Sequence, residues 1–194
     1  MNYKEITRKT YDRSIDIYEK KVLQNYQKVE KLVNIFLKHL TGKKILDLGA
    51  GTGNYGKAMK EKGYDVICID NSEEMVKKCR QKGLIAKVMD IEELDFPENT
   101  FDGVCASASL IHIPKANLEK VLKSIKRVLK PGGLFYVGVQ TGDGEKFIDG
   151  VKLVRGKRFI VYYQEEELKE KLLKYFGIIK IKDSNGWINA LCKN

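Results

Sequence analysis

The chain lacks the features that would mark it for an oxidising or membrane setting. It has four cysteines, Cys68, Cys79, Cys105 and Cys192, and no two of them stand in C-x-x-C spacing. That argues against zinc and dithiol chemistry, and the thiols read as buried and reduced. No apolar run approaches the ~20 residues a membrane span needs. The opening MNYKEITRKTYDRS has no apolar signal core. A cytoplasmic protein without membrane contact is therefore expected. Internal repeats, low-complexity tracts and Gly/Ser linkers are also missing. There are two histidines, His39 and His112, no visible metal site and no obvious catalytic acid–base pair.

What is present suits a folded domain. The composition is 43% hydrophobic and 32% charged, richer in apolar residues than disordered chains are. A length of 194 residues fits one domain over 1–194, long enough to bury roughly two thirds of its unfolded surface. The net charge of +10 could serve nucleic acid or other anionic partners. The lysines, however, are scattered along the whole chain, so the charge alone selects no partner.

Residues 13–40 read as helix, with room for a break. Ile15, Tyr18, Val22, Tyr26, Val29, Val33, Phe36 and Leu40 recur at three- and four-residue steps. Gly42 ends the stretch. Strands and helices then alternate. Lys44–Leu48 is a strand running into a glycine turn, and a helix follows to Lys62. Asp65–Ile69 is a strand ending at Asp70, and Ser72 caps a helix to Lys82. Ile85–Met89 and Phe101–Ser107 are strands. Lys115–Leu129 is a helix, Pro131-Gly132-Gly133 a turn, and Leu134–Val139 a strand. Glu165–Phe176 is a helix with acids in its first turn. Ile178–Asp183 and Trp187–Cys192 are strands joined too tightly for a crossover, so they pair antiparallel. The expected fold is α/β: a doubly wound, mostly parallel sheet of seven strands with an antiparallel C-terminal hairpin.

The strongest chemical signal is ILDLGAGTGNYG, residues 45–56. A strand turns through Gly49, Gly51 and Gly53 into a helix, and glycine lets the backbone turn sharply and lets a ligand approach it. A dinucleotide enzyme would hold a pyrophosphate there. Here Asn54 occupies the third glycine position of that pattern, and Asp47 precedes the turn. A carboxylate repels phosphate and suits an ammonium group. Asp70, 23 residues after Asp47, ends the next strand, where an acid accepts hydrogen bonds from ribose hydroxyls. Asp90 ends the third strand and is followed by the apolar Ile91. FDGVCASASLIHIP, residues 101–114, puts small residues at the ligand-binding edge.

These residues resemble the class I (Rossmann-like) S-adenosylmethionine-dependent methyltransferases, and most closely the UbiE/type 11 group. LDLGAGTGN at 46–54, CIDNSEEMVKKCR at 68–80, MDIEELDFPENTFDGV at 89–104 and IKRVLKPGGLFYVGV at 125–139 match in order and spacing. The resemblance covers about residues 40–140. It implies S-adenosyl-L-methionine as cofactor and methyl transfer by direct displacement, but it names no substrate. It also implies that Asp47, Gly49, Gly51, Gly53 and Asn54 serve the methionine end. Asp70, with Asn71 and Met75 nearby, would hold the ribose; Asp90 and Ile91 would hold the adenine; Ser107 would line the sulfonium side. His112 is the candidate general base. Residues 1–40 are expected to form a helical cap, whose Tyr11 and Tyr18 could face a sulfonium. Segment 141–163 is expected to form a substrate lid, in which Lys152, Arg155, Lys157 and Arg158 interleave with Phe159, Tyr162 and Tyr163. A small-molecule acceptor is the first expectation. RNA, and cofactor binding without catalysis, are the alternatives.

Overall fold

A computed structural model describes residues 2–150 and 154–194. Lys152 lies outside the described residues. Three helices precede the sheet: α1 (Tyr3–Arg13), α2 (Ile15–Gln24) and α3 (Tyr26–Lys38). The helix expected over 13–40 thus starts ten residues earlier, at Tyr3, and is broken twice. Side chains that bond elsewhere make the breaks. The Ser14 hydroxyl accepts from Arg155 N–H at 3.0 Å, and Asn25 Nδ2 donates back to Lys21 O at 2.9 Å. Such bonds compete with helix continuation. The start of α1 escapes a hydrophobic pattern because its buried residues are Thr7 and Thr10.

Nine strands follow among the described residues, not the expected seven: β1 (Lys44–Leu48), β2 (Asp65–Asp70), β3 (Ile85–Val88), β4 (Phe101–Ser107), β5 (Leu129–Thr141), β6 (Glu145–Ile148), β7 (Arg158–Tyr163), β8 (Gly177–Ser184) and β9 (Trp187–Lys193). Four helices lie between them: α4 (Asn54–Glu61), α5 (Glu73–Gln81), α6 (Lys115–Val128) and α7 (Glu165–Leu173). Parallel pairing runs β3-β2-β1-β4-β5. β9 then pairs antiparallel with β5, and β8 antiparallel with β9. The β8–β9 turn is Asn185-Gly186, with φ of 56° and 76°, the positive pair that a two-residue hairpin loop requires.

The two further strands arise inside 141–163. β6 and β7 form an antiparallel hairpin, joined to the end of β5 only through Gln140–Tyr162 and Thr141–Tyr163. Pro131-Gly132-Gly133 is also not a free turn. It lies within β5 as a bulge, where the register jumps from Phe101–Leu129 to Gly103–Leu134. Asn194 pairs across it, accepting from Gly132 N–H and donating to Gly133 O at 2.9 Å each.

Strand residues alternate between two apolar layers, as a period of two requires. Leu46, Val104, Ala106, Phe135 and Val137 pack with Leu118, Leu122 and Ile125 of α6 and Leu168 and Leu172 of α7. Ile45, Cys105, Leu134 and Tyr136 pack with Val33 and Phe36 of α3, Met59 of α4 and Val76 of α5. All four cysteines are buried and free. Among the described residues, no helix is long and apolar enough to cross a membrane.

α3 rests on β4 at one close approach. A Cβ on Gly103 would lie 2.7 Å from Phe36 Cζ and 2.9 Å from Leu40 Cδ1. Phe36 is fully buried and cannot swing away. Gly103→Ala should therefore cost about 1–3 kcal/mol through overpacking. Urea unfolding should show a lower midpoint at unchanged slope. An unchanged midpoint would mean that α3 does not pack against β4 there.

Candidate active site

The carboxyl ends of β1, β2 and β4 open onto one cavity of about 110 Å³. This is where ligands bind in open α/β sheets. Its floor is the turn after β1. Gly49 N–H and Ala50 N–H both donate to Ile69 O at 2.9 Å, which folds the turn back over β2. Gly49 and Gly51 have φ of 70° and 54°, a region costly for other residues. Neither has room for a side chain. A Cβ on Gly49 would lie 2.5 Å from Ser109 Cβ, and one on Gly51 would lie 2.9 Å from Tyr18 Oη.

Asp70 fixes that turn. Its Oδ2 accepts from Gly51 N–H at 2.9 Å and its Oδ1 from Ser72 N–H at 3.0 Å. Burial nevertheless pushes its carboxyl up to about 6, against the pull of both bonds. Ser72 Oγ accepts from Met75 N–H at 3.0 Å, capping α5, and donates to Asp12 of α1. Asn71, Ser72 and Met75 complete this wall. On the next side, Asp90 Oδ1 accepts from Glu92 N–H at 2.9 Å and Oδ2 pairs with Lys4 Nζ at 2.6 Å. Ile91 follows it into the lining.

After β4 the chain passes Ser107, Ala108 and Ser109 into a single 3-10 turn, Leu110–His112, and all but Leu110 and Ile111 line the cavity. Ser109 Oγ is buried with no partner among the described residues. His112 Nδ1 lies 2.7 Å from Phe159 O, and its Nε2 lies 3.0 Å from Tyr11 Oη. A carbonyl can only accept, so the proton sits on Nδ1, and Tyr11 donates to Nε2. Burial pushes His112 down to about 4, and the nearby Arg158 charge acts in the same direction. The ring is neutral at physiological pH.

Among the sequence-derived candidates, Gly49, Gly51, Asp70, Asn71, Met75, Asp90, Ile91, Ser107, His112 and Tyr18 meet around this cavity. Asp47, Gly53 and Asn54 lie behind it. Asp47 is buried, accepts from Gly56 N–H at 3.0 Å, and is pushed by burial to about 7. Gly53 backs onto Leu84 and Cys79. Asn54 bonds Thr52 Oγ1 at 2.8 Å and Lys82 Nζ at 3.2 Å. Lys4, Thr7, Arg8, Ser72 and Ser109 line the cavity although the sequence did not mark them as site residues. The first three, with Tyr11, stand at i, i+3, i+4 and i+7 on one face of α1. That spacing was a usable signal, hidden because the face is polar.

A profile described as "Methyltransferase domain" matches residues 46–137. Sterol 24-C-methyltransferase ERG6B of Gibberella zeae is 31% identical over 162 residues, which is 70% of this chain and 42% of that protein. The ubiquinone/menaquinone biosynthesis C-methyltransferase UbiE of Vibrio cholerae is 38% identical over 108 residues, 50% of this chain and 40% of that one. The chain thus spans about two fifths of the length of these curated relatives. In fold it is similar to the PH0226 protein of Pyrococcus horikoshii, with a TM-score of 0.75 at 22% identity, covering 92% of this chain and 93% of that one. The matched stretch includes the turn after β1 and the ends of β2, β3 and β4 that wall the cavity, and residues 46–137 form a methyltransferase domain of the class I, Rossmann-like kind, whose cofactor is S-adenosyl-L-methionine.

Proposed function

We propose that this chain is an S-adenosylmethionine-dependent methyltransferase acting on a small molecule in the cytoplasm. The observation that carries the reading is the cavity where the glycine turn, Asp70, Asp90–Ile91 and Ser107 converge. Its residues suit the cofactor. Asp70 has lone pairs left after binding two N–H groups, and burial raises its affinity for a proton despite those bonds. Ribose hydroxyls would supply them. Ile91 offers an apolar edge for adenine, with Asp90 beside it. Gly49 and Gly51 leave backbone exposed to the methionine end, with Ser107 toward the sulfonium. The unpartnered hydroxyl of Ser109 awaits an acceptor or donor. Asp47, Gly53 and Asn54 act from behind by holding the turn onto α4.

S-adenosylmethionine supplies a methyl group on a sulfonium, an activated leaving group. The protein's task is then to align the acceptor opposite that carbon and to exclude water. α1 and α2 close the cavity through Tyr11 and Tyr18, and residues 1–40 serve as a cap on the single domain. The β6–β7 hairpin, within the lid segment 141–163, holds the cap. His112, the candidate general base, serves on this reading to orient Tyr11. Taking a proton in a buried site beside Arg158 is disfavoured. A buried cavity under a helical cap favours a small acceptor over RNA.

Two outcomes test the cofactor site. In calorimetry, S-adenosylhomocysteine should bind and NAD should not. Asp70→Asn, still folded, should weaken S-adenosylhomocysteine by about tenfold or more, since bonds to a charged acceptor contribute about 1.5–3 kcal/mol each. NAD preference, or full affinity in the variant, would sink the assignment.

A third outcome is a pH dependence. Burial raises Asp70 to about 6 and Asp47 to about 7. Ligand binding uses the ionised carboxylates, so at low pH each must first lose a proton. Affinity should rise by at least about tenfold between pH 5 and pH 7, the share of Asp70 alone, and further where Asp47 must also ionise; the rise should be smaller in Asp70→Asn. A flat profile in the parent chain would show that neither acid's charge matters to binding.

A further inference from the structure

Arg158, the first residue of β7, is a cation that the reading above leaves unexplained. Its side chain is buried, at 5% exposure. A guanidinium carries five N–H donors. Among the described residues only one is used: Nη1 donates to Tyr11 Oη at 3.2 Å. Its Nε is buried with no partner. No carboxylate pairs with it among the described residues.

The other cations near the cavity are matched. Lys4 pairs with Asp90 and Glu92, and Arg8 with Asp12. Arg127, elsewhere, forks onto the carbonyls of Phe96 and Leu94. A buried charge without a counterion is costly, and a fold keeps one where a ligand supplies the missing charge. Arg158 stands one hydrogen bond behind the cavity wall, on Tyr11, and its charge reaches His112.

We propose that Arg158 anchors a carboxylate carried by the methyl acceptor. The inference rests on the methyltransferase reading and names the acceptor's class: a small organic acid. The planar fork of a guanidinium matches a carboxylate with two parallel bonds. The cofactor is cationic at sulfur, so a second, unpaired cation one residue behind its pocket is repulsive unless the acceptor brings negative charge. A polymer phosphate would need this guanidinium at the surface, whereas α1 covers it. Tyr11, held by His112, sets the guanidinium's position.

The test uses calorimetry on the full chain saturated with S-adenosylhomocysteine. The probes are benzoate, phenylacetate and indole-3-acetate, each against its neutral amide. At least one carboxylate should bind about tenfold more tightly than its amide. Arg158→Gln should erase that preference, and Arg158→Lys should keep part of it. Both variants should still fold and bind S-adenosylhomocysteine, because Asp70 and the glycine turn hold that ligand; loss of the bond to Tyr11 should show only as a small drop in melting temperature. No carboxylate preference in the parent, or a preference that survives Arg158→Gln, overturns the proposal. Failure of the parent to bind S-adenosylhomocysteine overturns the methyltransferase reading, and this inference with it.

Discussion

The carboxylate of Asp70 holds two turns at the edge of the sheet. It takes Gly51 N–H from the turn after β1 and Ser72 N–H from the turn after β2. From there the order spreads outward. Ser72 caps α5 and reaches Asp12, and Asp12 pairs with Arg8 at 3.1 Å, so the cap is tied to the same carboxylate. Gly51, held in place, leaves room for Tyr18. Burial of Asp70 outweighs its two hydrogen bonds and leaves the carboxyl raised. A group that is positioned but short of donors is ready to receive them, which is the meaning of preorganisation for a binding acid.

The cap is fastened on its other side by three buried hydroxyls. Thr7 Oγ1 accepts from Phe159 N–H at 3.0 Å, Thr10 Oγ1 donates to Lys157 O at 2.5 Å, and Ser14 Oγ accepts from Arg155 N–H at 3.0 Å. Helical steps of three and four residues meet strand steps of two. The cap therefore bridges two halves. β1 to β4 supply the cofactor wall, while α1, the 3-10 turn and β7 bring together Tyr11, His112 and Arg158. Binding on one side bears on the other through α1 and through the 3-10 turn that continues from β4, which suits an enzyme that must enclose both reactants before transfer.

The central sheet was legible because its chemistry is local. Strand-to-turn-to-helix units show apolar runs ending in glycine or an acid, and the Asn185-Gly186 turn shows its hairpin directly. What escaped depends on tertiary partners. α1 buries threonines rather than leucines, so no apolar period announces it. Pro131 to Gly133 looks like a turn until Asn194 supplies the strand opposite. Asp47, Gly53 and Asn54 sit in the right motif, but their side chains or Cβ positions face α4 and α5. Arg158 is one of several basic residues in its segment. Nothing local distinguishes it from its exposed neighbour Arg155, because its isolation is a property of what packs around it.

The central claim is that the cofactor sits on the edge organised by Asp70. Titrating S-adenosylhomocysteine into ¹⁵N-labelled protein, with amide shifts followed residue by residue, tests it most directly. The account predicts the largest changes at Gly49, Gly51, Asn71, Ile91 and Ser107 to Ser109, with little change at Ile35 on the outer side of α3. Changes centred away from these turns would contradict it.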